Sequence, residues 1–229
     1  MKQETLKHIL SAQAAKQPIV LASNLETNEQ LTLSTGEPDK PAWMMAAVDA
    51  AIRSDKSRVT EAPDGTPWFF NVFNPPLRLI IVGAVHIAQP LARMGLEAGY
   101  DVSIVDPREA FASAERFPNV ALISEWPDEA LQNLELDART AVVTLTHDPK
   151  LDDPALHVAL KSAAFYIGAL GSKKTQAARQ QRLTDAGFAD AEIARICGPV
   201  GLNIGAKSPA EIAISILAEV TQTLRQEHS

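Results

Sequence analysis

The sequence predicts an α/β fold: a parallel sheet clothed by helices, preceded by a small α+β region. Three observations carry this. Apolar runs of strand length recur after Leu77, above all at residues 78–82, 101–105 and 141–146, and continuous short runs suit strands covered on both faces. Stretches of helical periodicity separate them, which is the pattern of right-handed βαβ units. Before Asn74-Pro75-Pro76 the order differs, with helices and short strands mixed.

In chain order, residues 4–16 place Leu6, Ile9 and Leu10 at helical spacing, so a short amphipathic helix is expected. Residues 19–25 and 31–33 read as strands. Pro41 opens a second helix that turns Trp43, Met44, Ala47, Val48 and Ala51 toward a core. Asp64-Gly65 is a turn signal ahead of Trp68-Phe69-Phe70-Asn71-Val72-Phe73, a strand. Asn74-Pro75-Pro76 then stiffens the chain and sets the expected boundary, with a small α+β domain at 1–75 and a Rossmann-like domain at 76–229.

In the second part, strand 78–82 leads into a helix over 86–98, and strand 101–105 follows. A weaker strand is expected at 120–123, then strong ones at 141–146 and 165–168, then a helix over 173–186. Cys197 opens a glycine-punctuated loop. Ser208-Pro209-Ala210-Glu211 is a capping box with proline at the first helical position, and starts a last helix with Ile212, Ile216, Leu217 and Val220 inward. Asp148 and Asp153 each precede a proline and read as helix caps.

A chain of 229 residues needs no disulfide or structural metal to hold a core. The single cysteine, Cys197, excludes an intrachain disulfide. A net charge of −7 argues against a nucleic-acid partner. Met1-Lys2-Gln3-Glu4-Thr5 has no apolar run behind its charges, so it is not expected to act as a secretory signal. Nor does any stretch approach the roughly 18–20 apolar residues of a membrane helix. A soluble cytoplasmic protein without a membrane partner is expected.

In an open parallel sheet, ligands bind beyond the carboxyl ends of the strands, near the point where strand order reverses. Gly83-Ala84-Val85-His86-Ile87-Ala88 lies there and partly matches a dinucleotide fingerprint. Gly83 and the small Ala88 fit, but Val85 stands where a glycine lets pyrophosphate approach the backbone. The helix start, at His86, still offers N–H groups to a phosphate. Asp106 closes the next strand at a distance suited to a ribose hydroxyl, and Arg108 suits a phosphate; a turn with a local ion pair is the other reading. His147 and Asp148 follow the strongest strand, and His147 is the ionisable group best placed to meet a ligand. Gly168, Gly171, Ser172, Lys173 and Lys174 form a strand-to-helix turn with two lysines at the positive end of the helix dipole. Gly201 and Lys207 lie in the late glycine-rich loop.

Together these segments resemble the XdhC/CoxI family of xanthine dehydrogenase accessory proteins. The matching stretches are Gly83-Ala84-Val85-His86-Ile87-Ala88, Asp106-Pro107-Arg108, Thr146-His147-Asp148-Pro149-Lys150-Leu151-Asp152, Tyr166-Ile167-Gly168-Ala169-Leu170-Gly171-Ser172, Gly198-Pro199-Val200-Gly201-Leu202 and Ile204-Gly205-Ala206. They run in the family's order from about Leu79 to Val220. The resemblance implies a chaperone that binds the molybdenum cofactor (molybdopterin) during sulfuration and delivers it to an apo molybdenum hydroxylase of the xanthine dehydrogenase type. Family members commonly carry glycine in place of Val85, and longer ones a Gly-Gly-Cys-Val-Glu type segment that residues 1–75 lack. The alternative function is an NAD(P)-dependent oxidoreductase, and a third is a nucleotide-sensing scaffold; a homodimer is a further possibility. Cys197 reads as a small buried apolar residue, with sulfur handling as the alternative.

Overall fold

The computed structural model describes residues 3–226. The chain divides into one compact unit ending at Pro75 and another beginning at Pro76.

The first unit comprises α1 (Gln3–Ala14), β1 (Ile19–Asn24), β2 (Gln30–Leu33), α2 (Ala42–Ser54), β3 (Arg58–Glu61) and β4 (Pro67–Phe73). Its strands form an antiparallel sheet in the order β2-β1-β4-β3. Met44, Ala47, Val48 and Ala51 of α2 pack on Val20, Ala22, Leu33, Trp68 and Phe70, as helical spacing requires. In α1 the inward face is Ile9 and Ala12, while Leu6 and Leu10 stay 42% and 55% exposed. The expected apolar stripe is therefore shifted round the helix. Strand β3 was not expected; Asp64-Gly65 is the turn that joins it to β4, closed by Ala62 and Thr66.

The second unit comprises β5 (Arg78–Val82), α3 (Ala88–Glu97), β6 (Asp101–Val105), β7 (Ala121–Ile123), α4 (Pro127–Asn133), β8 (Thr140–Thr144), α5 (Pro149–Lys161), β9 (Tyr166–Ala169), α6 (Lys173–Asp185), α7 (Asp190–Ile193), β10 (Ile196–Cys197) and α8 (Pro209–Gln226). All its strand pairs are parallel, in the order β10-β9-β8-β5-β6-β7. Counted within the unit this is 3-2-1-4-5-6, the order of dinucleotide-binding folds. Strand alternation splits the core into two layers. Leu79, Ile81, Val102, Ile104, Ala141 and Val143 meet α3 and α8. Ile80, Val82, Val105, Val142 and Ile167 meet the helices of the other face, including α5 and α6. No helix among the described residues is long and apolar enough to cross a membrane.

Several local expectations need correction. Helix α3 starts at Ala88, because residues 83–87 form a turn. Asp148 caps α5 by accepting from the Lys150 N–H, but Asp153 lies inside that helix, with Pro154 following it. Helices α4 and α7 were not anticipated. The loop expected from Cys197 begins with strand instead, since Cys197 pairs beside Gly168 in the sheet.

Candidate functional site

The order reverses between β5 and β8, so the crevice opens where these two strands end. Gly83 follows β5 with φ +106°, and its N–H donates to Val105 O at 2.8 Å. A Cβ there would lie 2.6 Å from Thr146 Cγ2, so only glycine lets the turns after β5 and β8 approach. The Ala84 N–H donates to Asp106 Oδ2 at 2.8 Å, which ties the first turn to the end of β6. Val85 is half-buried and packs on the α3 and α8 layer, and His86 is exposed. The N–H groups of Val85, His86 and Ile87 donate to nothing among the described residues, and α3 has no side-chain cap.

Asp106 is 1% exposed and spoken for. Its Oδ1 accepts from the Arg108 N–H and Nε, and its Oδ2 accepts from Ala84 and Arg108 Nη2. A carboxylate has about four acceptor positions, so none remains for a ribose hydroxyl. Burial alone would raise this carboxyl, but the hydrogen bonds from Arg108 and Ala84 outweigh it and hold the group below the ordinary range. Arg108 is bound in turn. Its guanidinium also stacks 4.6 Å above the Phe111 ring. Its basicity is raised first by the bond to Asp106 and, against burial, by the charges of Asp106, Asp148 and Asp152.

The turn after β8 is unusual. His147 sits at φ +61°, an uncommon conformation for a residue with a side chain, and its ring is exposed. The Thr146 hydroxyl donates to Asp152 Oδ1 at 2.6 Å and accepts from the Asp148 N–H at 3.0 Å. Beneath lies a buried ion pair that the sequence pattern does not announce. Asp152 Oδ2 is 3.6 Å from Arg179 Nη2, with side chains 2% and 3% exposed. Arg179 also donates to Leu170 O at 2.9 Å and to Gln176 Oε1 at 2.6 Å, while Gln176 holds Ala169 O. The pair thus braces the turn after β8 against the turn after β9. Desolvation raises the Asp152 carboxyl and lowers the basicity of Arg179. Arg179 had one signal in the sequence: it lies one helical turn before Leu183, on the inward face of α6.

After β9, Gly168 packs so closely that a Cβ would come within 2.5 Å of Val200 Cγ2 and 2.8 Å of the Tyr166 ring. Gly171 has φ +148°, and Ser172 caps α6 by accepting from the Thr175 N–H at 3.2 Å. Lys173 and Lys174 occupy the first turn of α6, exposed, with no acidic residue in that turn and no ion pair among the described residues. Two cations sit at the positive end of a dipole. Gly201 is held by Glu219, which accepts from its N–H at 2.9 Å and from the Tyr166 hydroxyl. Lys207 is exposed, and its N–H joins that of Ser208 on Glu211 in the anticipated capping box. The side chains of His86 and Lys207 make no hydrogen bond or ion pair with the other candidates among the described residues. Cys197 is half-buried against the α8 layer. A groove of about 610 Å³ between α4 and α5 contains none of these residues.

The strand ends thus present unused backbone N–H groups and exposed lysines, and no group of three or more His, Cys, Asp or Glu placed to hold a metal ion occurs among the described residues. Residues 79–220 match the family model described as the XdhC Rossmann domain. The chain belongs to the XdhC family. A Bacillus subtilis (strain 168) relative, named as a probable xanthine dehydrogenase subunit, is 33% identical over 162 residues, covering 70% of this chain and 47% of that protein. The Escherichia coli (strain K12) protein named molybdenum cofactor insertion chaperone PaoD is 35% identical over 167 residues, covering 71% and 46%. The chain therefore spans about half the length of these XdhC-like relatives. A crystal structure described as a xanthine dehydrogenase from Bacillus halodurans superposes with a TM-score of 0.71 at 25% identity, over 98% of this chain and 68% of that one.

Proposed function

We propose that this chain binds the molybdenum cofactor through its phosphate and delivers it to a molybdenum hydroxylase of the xanthine dehydrogenase type. The observation that carries the reading is the first turn of α6, where Lys173 and Lys174 stand exposed and without acidic partners at a capped helix N-terminus. An anion there reverses the sign of their unfavourable interaction with the dipole. The N–H groups of residues 85–87 add donors across the crevice. These groups fit a ligand with one terminal phosphate and a flat ring. The relative named as a molybdenum cofactor insertion chaperone supplies the ligand's identity.

The role of the chain's own residues is to bind and orient. Lysines and backbone N–H groups hold the phosphate, while the Asp152–Arg179 brace fixes the turns that present His147 and Lys173. The reading needs Cys197 only as a packing residue, and it assigns sulfuration to no group of this chain. Val85 and the filled Asp106 carboxylate both weigh against NAD(P).

Replacing Lys173 and Lys174 together with Gln should weaken a phosphate-bearing ligand about tenfold, the sum of two exposed charge interactions. Stability should hold or rise slightly, because each lysine at that end costs roughly 0.3–1 kcal/mol without an anion. Calorimetric titration of molybdopterin into both proteins reads the difference. Unchanged affinity would remove the anion site from α6.

A further inference from the structure

A second groove lies wholly within the first unit. Its volume is about 530 Å³, and it opens among the β1–β2 turn, the start of α2 and the β3–β4 turn. Trp43 and Trp68 form its aromatic floor, their rings 6.2 Å apart at 64°. Trp68 is 7% exposed, whereas Trp43 is only half-buried and offers its surface to the groove.

The rim carries Glu29, Asp39 and Asp64, all exposed, against one base, Lys40. None of the three acids is ion-paired among the described residues. Asn24 supplies an independent signal. It is 8% exposed and lines the groove, and its Oδ1 accepts from the N–H groups of Glu26 and Thr27. Its Nδ2 donates to nothing among the described residues and is open to solvent, so it is free to meet an acceptor that enters the groove.

Each feature selects the same chemistry. Tryptophan is the best ring for a cation, and an arginine stem also packs on it. Carboxylates around the ring complement that charge, and an unused amide N–H calls for a carbonyl. We propose that this groove docks a partner polypeptide, taking an arginine or lysine side chain against Trp43 and a neighbouring main-chain carbonyl at Asn24.

The probe is an acetylated, amidated Leu-Arg-Leu-Arg-Leu peptide, with a control in which neutral citrulline replaces each arginine. Tryptophan fluorescence is followed in the full chain carrying Trp126→Phe, so that the emitters left are the two in the groove. The arginine peptide should shift the emission saturably and bind about tenfold tighter than the citrulline peptide. Glu29→Gln/Asp39→Asn/Asp64→Asn changes exposed groups only, so it should keep the fold, by circular dichroism, and abolish that preference. Equal binding of both peptides, or an undiminished preference in this variant, overturns the proposal. So does equal affinity for spermidine, because no carbonyl would then be read.

Discussion

Asp152→Ala should destabilise the parallel-sheet unit by about 3–5 kcal/mol, the cost of leaving a buried charge without its partner. Arg179 is 2% exposed and cannot turn to water for compensation. The Thr146 hydroxyl and N–H would lose their acceptor as well. The pair is a brace rather than a source of net stability, since two charges are costly to bury even together. Asp152→Leu/Arg179→Met should therefore recover most of the loss while still freeing the two turns. Chemical denaturation of the three proteins separates these effects. A loss below about 1 kcal/mol in the single variant would mean that Arg179 reaches solvent.

Asp106→Ala should cost about 1–3 kcal/mol, the penalty for stranding one buried donor. That donor is the Ala84 N–H, in a residue with 0% exposure. Arg108 contributes little to the loss, because its side chain is 39% exposed and water solvates it once released. The pH dependence has a definite sign. The folded Asp106 carboxyl lies below its ordinary value of 3.8, so its contribution is complete above that pH. It is lost as the pH falls further, through the folded value. Asp106→Asn should lose stability at neutral pH yet narrow its deficit below about pH 4, as measured by denaturant midpoints across the acid range. A deficit constant with pH would show that the carboxylate is not charged in the fold.

Much of this architecture was legible because local and global signals agree. The runs at β5, β6, β8 and β9 are apolar enough to be read as strands covered on both faces. Ser172 and Ser208 stand where helix caps must. Strand β3 escaped notice because an edge strand exposes alternate residues, and Val59 is 57% exposed; the Asp64-Gly65 turn was its only signal. Strand β10 is two residues long and exists through pairing with β9. The candidate site was legible as strand ends, not as contacts. Asp106 sits where a ribose acid would, but only the fold shows Arg108 and Ala84 filling its oxygens. Asp152 gave no signal and Arg179 only its place one turn before Leu183, because a sequence does not reveal which charges are buried together.

We propose that the crevice prefers the pterin cofactor to NAD(P). Val85 replaces the glycine by which a dinucleotide's pyrophosphate approaches the backbone, and overpacking at that turn would cost a dinucleotide about 1–3 kcal/mol, or roughly one to two powers of ten in affinity. Asp106 has no acceptor left for a ribose. The direct measurement is calorimetric titration of the purified chain with molybdopterin, NAD and NADP in parallel. Molybdopterin should bind saturably, and both nucleotides at least about tenfold more weakly. Micromolar affinity for NAD or NADP, with no heat from molybdopterin, would contradict the claim.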